Sequence, residues 1–114
     1  MIDAAVKRCT EHNAAAAERC VKEIKALLEK GSRDKAARLA KACSRGIRAR
    51  SAACATVVKN LCRHCAALLH RLGADDLAED LQAHCEEALT KIHDSAEAAL
   101  DAIHDALGDP APTP

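Results

Sequence analysis

The stretch CVKEIKALLEKGSRDKAARLAKAC, residues 20–43, decides the fold of this chain. On both sides of Gly31 its apolar residues recur at intervals of three and four, which is the period of an amphipathic helix. Gly31 suits the position that follows a helix, and Ser32 suits the N-cap of the next helix. We therefore predict an antiparallel pair of helices joined by a tight turn.

A second stretch, CRHCAALLHRLGADDLAEDLQAHC at residues 62–85, repeats this plan. Its first and last cysteines are as far apart as Cys20 and Cys43, and Gly73 stands where Gly31 stands in the first stretch. Two similar helical hairpins therefore overlap in one chain, as an internal duplication would produce.

The same helical period extends outward from the two hairpins. The predicted helices cover residues 3–30, 33–72 and 76–107. Asp3 and Asp76 are the expected N-caps of the first and last helix, since a short acidic side chain accepts hydrogen bonds from the free N–H groups there.

One segment of the long middle helix leaves the helix count open. Gly46 and the polar residues 48–51 are its weakest points, and a turn there would give four helices instead of three long ones. The predicted fold is all-α: an antiparallel helical bundle of three long or four helices with a cysteine-lined core. This bundle covers residues 1–108, and residues 109–114 form a disordered tail.

The composition limits both the core and the function. Apolar residues make up 49% of the chain, yet 27 of its 114 residues are Ala and none is aromatic. The core is therefore thin, because Ala buries little area, and aromatic platforms for single-stranded nucleic acid are excluded. No apolar run approaches the ~18 residues of a membrane-spanning helix. The first residues lack the apolar region of a signal peptide, which predicts a cytoplasmic protein.

Charge is balanced overall but segregated along the chain. Residues 1–50 carry 13 Lys and Arg against 6 Asp and Glu, whereas residues 51–114 carry 4 against 11. A basic half can bind nucleic acid; alternatively, the two halves neutralise each other within the fold or across a dimer. Because no recognition motif accompanies the basic residues, we expect no nucleic-acid partner and leave a homodimer open.

The seven cysteines are the unusual feature of the sequence. In an antiparallel hairpin, residues at the same level have a constant index sum, about 63 for the first turn and about 147 for the second. The pairs that obey this rule are Cys9 with Cys54, Cys20 with Cys43, and Cys62 with Cys85. Six of the seven cysteines therefore stand opposite a partner.

Histidines join these cysteines if the middle helix is continuous. The index sum places His93 opposite Cys54 and His104 opposite Cys43, while His12 and His84 neighbour other cysteines. Thiolates and imidazoles are the ligands that Cu(I) and Zn(II) prefer. We expect a core that binds soft metal ions, foremost Cu(I), for storage or buffering. The candidate metal ligands are Cys9, Cys20, Cys43, Cys54, Cys62, Cys65, Cys85, His12, His84, His93 and His104.

The opposed cysteines also suit a second interpretation, in which each pair forms a disulfide and Cys65 stays free. Disulfides stabilise small domains with thin cores most. The protein would then be a disulfide-linked helical scaffold that acts through protein–protein contacts. Such a protein would be secreted or reside in the mitochondrial intermembrane space, since cytosolic thiols stay reduced. A third interpretation is that the cysteines simply pack as small apolar residues.

Part of the chain resembles the bacterial copper storage proteins, which are cysteine-rich four-helix bundles. Their first helix carries cysteines in a C-x3-C-x2-C-x3-C pattern, and the equivalent positions here are Cys9, Asn13, Ala16 and Cys20. The segment 54–65 has the same spacing. Since the inner thiols are missing, the resemblance implies a few soft metal ions per bundle, bound by the remaining cysteines.

The chain also resembles the twin CX9C helical-hairpin proteins of the mitochondrial intermembrane space, which are oxidised after import without a cleaved presequence. Here the intervals from Cys9 to Cys20 and from Cys43 to Cys54 each contain ten residues. The resemblance implies nested disulfides, outer with outer and inner with inner.

Enzymatic motifs are not visible, and we expect no enzyme. No nucleophile lies in a recognisable arrangement with a base and an orienting group. The Glu-x-x-His pairs of di-iron carboxylate proteins are absent, and Asp101 with His104 comes nearest to them. Cys62 and Cys65 form a C-x-x-C pair, but the βαβ setting of the redox enzymes is missing.

Overall fold

The computed structural model describes residues 1–108, which form three helices and no strands. Helix α1 spans Ile2–Glu29, α2 spans Arg33–Arg71 and α3 spans Asp75–Leu107. Each helix packs against both of the others, and their directions alternate because the connecting turns are short. The all-α prediction is confirmed. The tail predicted at 109–114 lies outside the described residues.

Helix α2 runs without interruption through Gly46, so the described chain has three long helices and the four-helix alternative is wrong. Gly lowers helix stability by about 1 kcal/mol relative to Ala. That cost is small beside the packing of α2 against both neighbouring helices along its length. At Gly46 the backbone is helical, and a Cβ atom would meet only Arg50 Nη2, at 3.9 Å.

Both turns have the same backbone construction. Gly31 and Gly73 adopt φ of +76° and +74°, the left-handed conformation that Gly tolerates best. The N–H of Ser32 donates to the carbonyl of Leu27 at 2.9 Å, and that of Ala74 donates to the carbonyl of Leu69 at 2.8 Å. These bonds define a Schellman motif at the end of each helix. The sequence-based placement of the two glycine turns is therefore confirmed.

The predicted N-caps of two helices are wrong. Helix α1 is capped by Met1 and α3 by Ala74, so Asp3 and Asp76 lie in the first helical turn instead. A carboxylate there interacts favourably with the free N–H groups and the positive end of the helix dipole. Their role is therefore electrostatic, and the helices begin one or two residues earlier than the cap signal predicts.

The core consists of two apolar clusters in a rod of 63 × 24 × 15 Å. The larger cluster lies beneath the first turn and includes Ile24, Ile47 and Ile103, each at most 1% exposed. The smaller cluster surrounds Val58 and Ile92. Most other buried positions in the larger cluster are Ala, whereas those in the smaller cluster are Ile2, Val6, Cys85 and Ala88. The helices therefore enclose a thin core, as the composition predicts.

Candidate functional site

Three disulfides join the helices within the described chain, and they link the cysteines that the index sums place opposite each other. The bonds are Cys9–Cys54 and Cys20–Cys43 between α1 and α2, and Cys62–Cys85 between α2 and α3. The Cα atoms of these pairs are 6.5, 6.5 and 6.3 Å apart. The bond between Cys9 and Cys54 encloses the one between Cys20 and Cys43, so the α1–α2 hairpin is linked twice.

The expected cysteine-lined core does not hold. Cys85 is buried at 5% exposure, whereas the other six cysteines are half-buried, and five of them, all but Cys65, pack at the edges of the clusters. The centre of the bundle belongs to larger aliphatic side chains such as Ile24 and Ile47. The reason is geometric: cysteines bonded across two adjacent helices face each other along the seam between them, away from the axis that all three helices share.

The structure places the four candidate histidines apart from one another. His12 and His93 are exposed, and His104 is half-buried. His93 and His104 line grooves between α2 and α3, whereas the Cys9–Cys54 bond lines the groove between α1 and α2. The predicted layer of Cys9, Cys54 and His93 is therefore not assembled on one side of α2.

His84 is engaged in a contact that the sequence did not reveal. Its Nε2 donates a hydrogen bond to Asp3 Oδ1 at 2.8 Å, which joins the start of α1 to the third turn of α3 at the molecular surface. Within residues 1–108, no group of three or more Cys, His, Asp or Glu side chains is arranged to hold a metal ion. The candidate ligand set is thus present in the sequence but dispersed in the fold.

Cys65 is the free cysteine of the described chain. It is half-buried and lies one helical turn beyond Cys62, near the end of the rod where α2 turns into α3. Three large apolar side chains with more than half of their surface exposed also belong to this end: Leu68, Leu72 and Leu77. The free thiol of Cys65 and the exposed leucines therefore lie at the same end of the rod.

A buried polar contact connects all three helices between the two core clusters. Asn13 is 1% exposed, and its Nδ2 donates to Ser51 Oγ at 3.1 Å and to Ser95 Oγ at 3.4 Å. A buried amide in an apolar stripe fixes helix register, because only one alignment satisfies it. In the sequence, Asn13 stands in the apolar stripe of the first helix, and a lone Asn among apolar residues was the available signal for this contact.

Arg50 contributes a second buried polar group. Its Nη1 atom is buried without a hydrogen-bond partner in the described chain, and its Nη2 lies beside Gly46 on the preceding turn. In the sequence, Arg50 stands in the core stripe of the middle helix as well as in its basic run, so its partial burial was foreseeable. Because Gly46 has no side chain, the Arg50 guanidinium can lie along the surface of α2 at this position.

The charge segregation in the sequence becomes a contrast between two neighbouring helices. Helix α2 contains ten Lys or Arg and one Asp, while α3 contains ten Asp or Glu and one Lys. Nearly all of these side chains are exposed, so their attraction acts through solvent and is screened by salt. Helix α1 carries five charges of each sign.

None of the described helices is both long and apolar enough to span a membrane. No family model matches the chain, and neither curated proteins nor solved structures give a match.

Proposed function

We propose that this chain is a disulfide-linked helical scaffold that acts through protein–protein contacts. The observation that supports the proposal is the set of three interhelical disulfides, which take up six of the seven cysteines. With their sulfur atoms paired, these cysteines offer no thiolates to a metal ion. The chain then presents a rigid rod with one free thiol and an exposed apolar end.

The thin core explains why such a scaffold needs covalent links. The chain has no aromatic residue, and its largest fully buried side chains are Ile and Val together with the polar Asn13. A disulfide that closes a loop of about 24 residues stabilises the folded state by about 3 kcal/mol, mainly because it restricts the unfolded chain. Two links of this size, together with the wider Cys9–Cys54 link, compensate for the small hydrophobic stabilisation of an Ala-rich interior.

The disulfides also bear on the compartment. They persist in the secretory pathway, outside the cell and in the mitochondrial intermembrane space, and they are rare in the cytosol. The proposed scaffold therefore belongs to an oxidising compartment, which replaces the cytoplasmic location expected from the N-terminal residues. The nested order of Cys9–Cys54 around Cys20–Cys43 supports the likeness to the twin CX9C hairpin proteins.

Soft-metal binding is a second candidate, for the reduced chain. Cys62 and Cys85 lie within bonding distance of each other, Cys65 follows Cys62 by one turn, and His84 precedes Cys85. Reduction of this one bond releases two thiols beside a third. Cu(I) prefers such sulfur donors, and we propose this end of the rod as its site if the protein is kept reduced.

One experiment separates the two candidates. The purified protein is denatured and alkylated without reductant, and its mass is measured. The scaffold predicts a chain lighter by six hydrogen atoms with a single alkylated cysteine, Cys65, and peptide mapping that recovers the three bonds. Seven alkylated cysteines, together with Cu(I) adducts in the native mass spectrum, would overturn the scaffold and support metal binding instead.

A further inference from the structure

The end of the rod near Gly73 contains two helices instead of three. Helix α1 begins at Ile2, which packs in the smaller core cluster with Val58, Leu61 and Cys85. Beyond that level, the last ten residues of α2 and the first ten of α3 continue as a pair for about 15 Å. At the base of this pair, Cys62 and Leu81 pack on the smaller cluster and His84 bonds Asp3 of α1. We call this part, residues 62–84, the open end.

The open end exposes large apolar side chains. Leu68, Leu72 and Leu77 are 55%, 79% and 58% exposed, and Met1, at 86%, begins the chain at its edge. These four account for all but one of the exposed large hydrophobic residues in the described chain, the other being Val57. Clustered apolar surface of this kind marks interaction sites, whereas scattered single residues do not.

The exposed leucines point along the line that α1 would occupy if it continued. Leu72 follows Cys54 by eighteen residues, which is five full turns, and Cys54 is bonded to Cys9 of α1. Leu77 precedes Ser95 by the same eighteen residues, and Ser95 contacts Asn13 of α1. The face of the open end is therefore the continuation of the interface that α1 closes elsewhere.

We infer that a second copy of this chain covers the open end. In this arrangement the hairpin 62–84 of each copy lies antiparallel against the hairpin of the other, and a two-fold axis passes near Leu68. Because the two hairpins are identical, each one reaches the Met1 end of the other when they pack antiparallel, and neither apolar face is left uncovered. A surface that matches itself in length and in apolar character is what an isologous dimer requires.

The interface is small, which is typical of weak complexes. A face of about 15 by 20 Å covers about 300 Å² on each copy, whereas stable complexes bury about 800 Å² on each partner. The dimer is therefore weak, with a dissociation constant of about 0.1–1 mM. This inference rests on the proposed scaffold only in that the Cys62–Cys85 bond holds the two helices of the open end together.

The test is sedimentation equilibrium of the oxidised protein from about 10 µM to about 1 mM, a range that spans the expected constant. The weight-average mass should rise from 12.1 kDa toward twice that value.

Leu72→Glu should weaken self-association by at least about tenfold, because it places a carboxylate in the apolar contact. Val57→Glu is the matched control, since Val57 is 52% exposed on the same helix but lies beside α1. It should change the constant by less than about twofold.

Cross-linking gives an independent readout. Cys65 is the free thiol of the described chain and lies on the open end, so a short bismaleimide should link two copies. Covalent dimers should increase with concentration in the wild type and in Val57→Glu, and should be lost in Leu72→Glu. Circular dichroism and disulfide mapping of both variants establish that the fold is retained.

A chain that stays monomeric at 1 mM overturns the dimer, as does an equal effect of the two substitutions. A monomer that instead binds an added amphipathic helix at the open end also overturns it and assigns the face to a different protein. If the three disulfides are present in that monomer, the proposed scaffold survives; if the cysteines are free, the scaffold fails on its own account.

Discussion

The two hairpins of this protein, residues 20–43 and 62–85, share a plan and differ in surroundings. Both turn through a glycine in the left-handed conformation, and both are closed by a disulfide spanning 23 residues. The first hairpin is covered by α3, whereas the second extends beyond the start of α1.

The residues at matched positions reveal what this difference means. Leu68, Leu72 and Leu77 of the second hairpin correspond to Ala26, Lys30 and Lys35 of the first, and all six are exposed. The first hairpin has small or charged side chains where it meets solvent, as an independent surface should. The second hairpin has leucines at these positions, and exposed apolar residues of this kind are typical of protein–protein contact surfaces. Two hairpins with the same backbone construction thus differ in their exposed surface, which is polar or small in the first and apolar in the second.

Removal of either hairpin disulfide is expected to give the largest effect. Cys20→Ser/Cys43→Ser and Cys62→Ser/Cys85→Ser open loops of equal length, so each should lower the free energy of unfolding by about 3 kcal/mol. Guanidinium denaturation without reductant measures the loss. A difference of more than about 1 kcal/mol between the variants would show that packing, rather than loop length, controls the contribution.

Hydrogen exchange sharpens the same comparison. Loss of the Cys62–Cys85 bond should increase amide exchange at the open end, residues 62–84, because no third helix covers it. Loss of the Cys20–Cys43 bond should leave exchange in the first hairpin closer to that of the wild type, since α3 packs on it. Equal increases in both hairpins would contradict the role assigned to the third helix.

Asn13→Ala tests whether the core clusters beneath the two hairpins are coupled. It removes the amide that bonds Ser51 and Ser95 and should cost about 1–3 kcal/mol, since the buried Ser51 hydroxyl and the half-buried Ser95 hydroxyl lose a donor. His12→Ala, at an exposed neighbouring position, should change stability by less than about 0.5 kcal/mol. Thermal unfolding by circular dichroism compares the two; equal stabilities would remove Asn13 from its register-setting role.

The turn glycines should respond alike in both hairpins. Gly31→Ala and Gly73→Ala force a Cβ atom into the left-handed conformation, and each should cost about 1–2 kcal/mol. Gly46→Ala is the matched control, because its helical backbone should gain about 0.5–1 kcal/mol from the better helix former. Urea denaturation of the three variants checks both signs. Destabilisation by Gly46→Ala would mean that the neighbouring guanidinium of Arg50 needs the space.

Salt should have the smallest effect and should act unequally on the hairpins. Helices α2 and α3 have opposite net charges, whereas α1 is balanced. An increase from about 20 mM to about 0.5 M NaCl screens exposed charges and should destabilise the α2–α3 seam by less than about 1 kcal/mol. Site-resolved hydrogen exchange detects this; no change in α3, or an equal change in α1, would contradict it.

The sequence predicted the level of each residue along the bundle axis. It did not predict the direction in which each residue faces around its helix. Gly31 and Gly73 identify the two turns because few other residues adopt their conformation. Once the turns are placed, an index sum predicts which residues share a level, and the disulfides follow those levels. A sum contains no information about direction around a helix. For that reason His93 has the level of Cys54 but faces another groove.

The continuity of α2, the exact helix starts and the redox state of the cysteines could not be predicted from local sequence patterns. Whether α2 bends at Gly46 is decided by packing against α1 and α3, which exceeds the propensity cost of one glycine. The helix starts at Ile2 and Asp75 precede the strongest cap signals, and at the first of them Ile2 is buried in the smaller core cluster. The thiol or disulfide state of cysteines at one level depends on the redox compartment, so the sequence left it open.

The order of the disulfides has a mechanical consequence. If the chain is pulled at Met1 and Leu107, tension passes from Cys9 directly to Cys54 and from Cys62 directly to Cys85. The residues within those loops bear no load, so the oxidised chain can lengthen to only about 130 Å, against about 370 Å for the same residues without cross-links. Met1 lies short of the open end, so the two pulling points start closer together than the 63 Å length of the rod. The oxidised chain would therefore extend to about 130 Å and then stiffen, and reducing agents would release the remaining length in discrete steps.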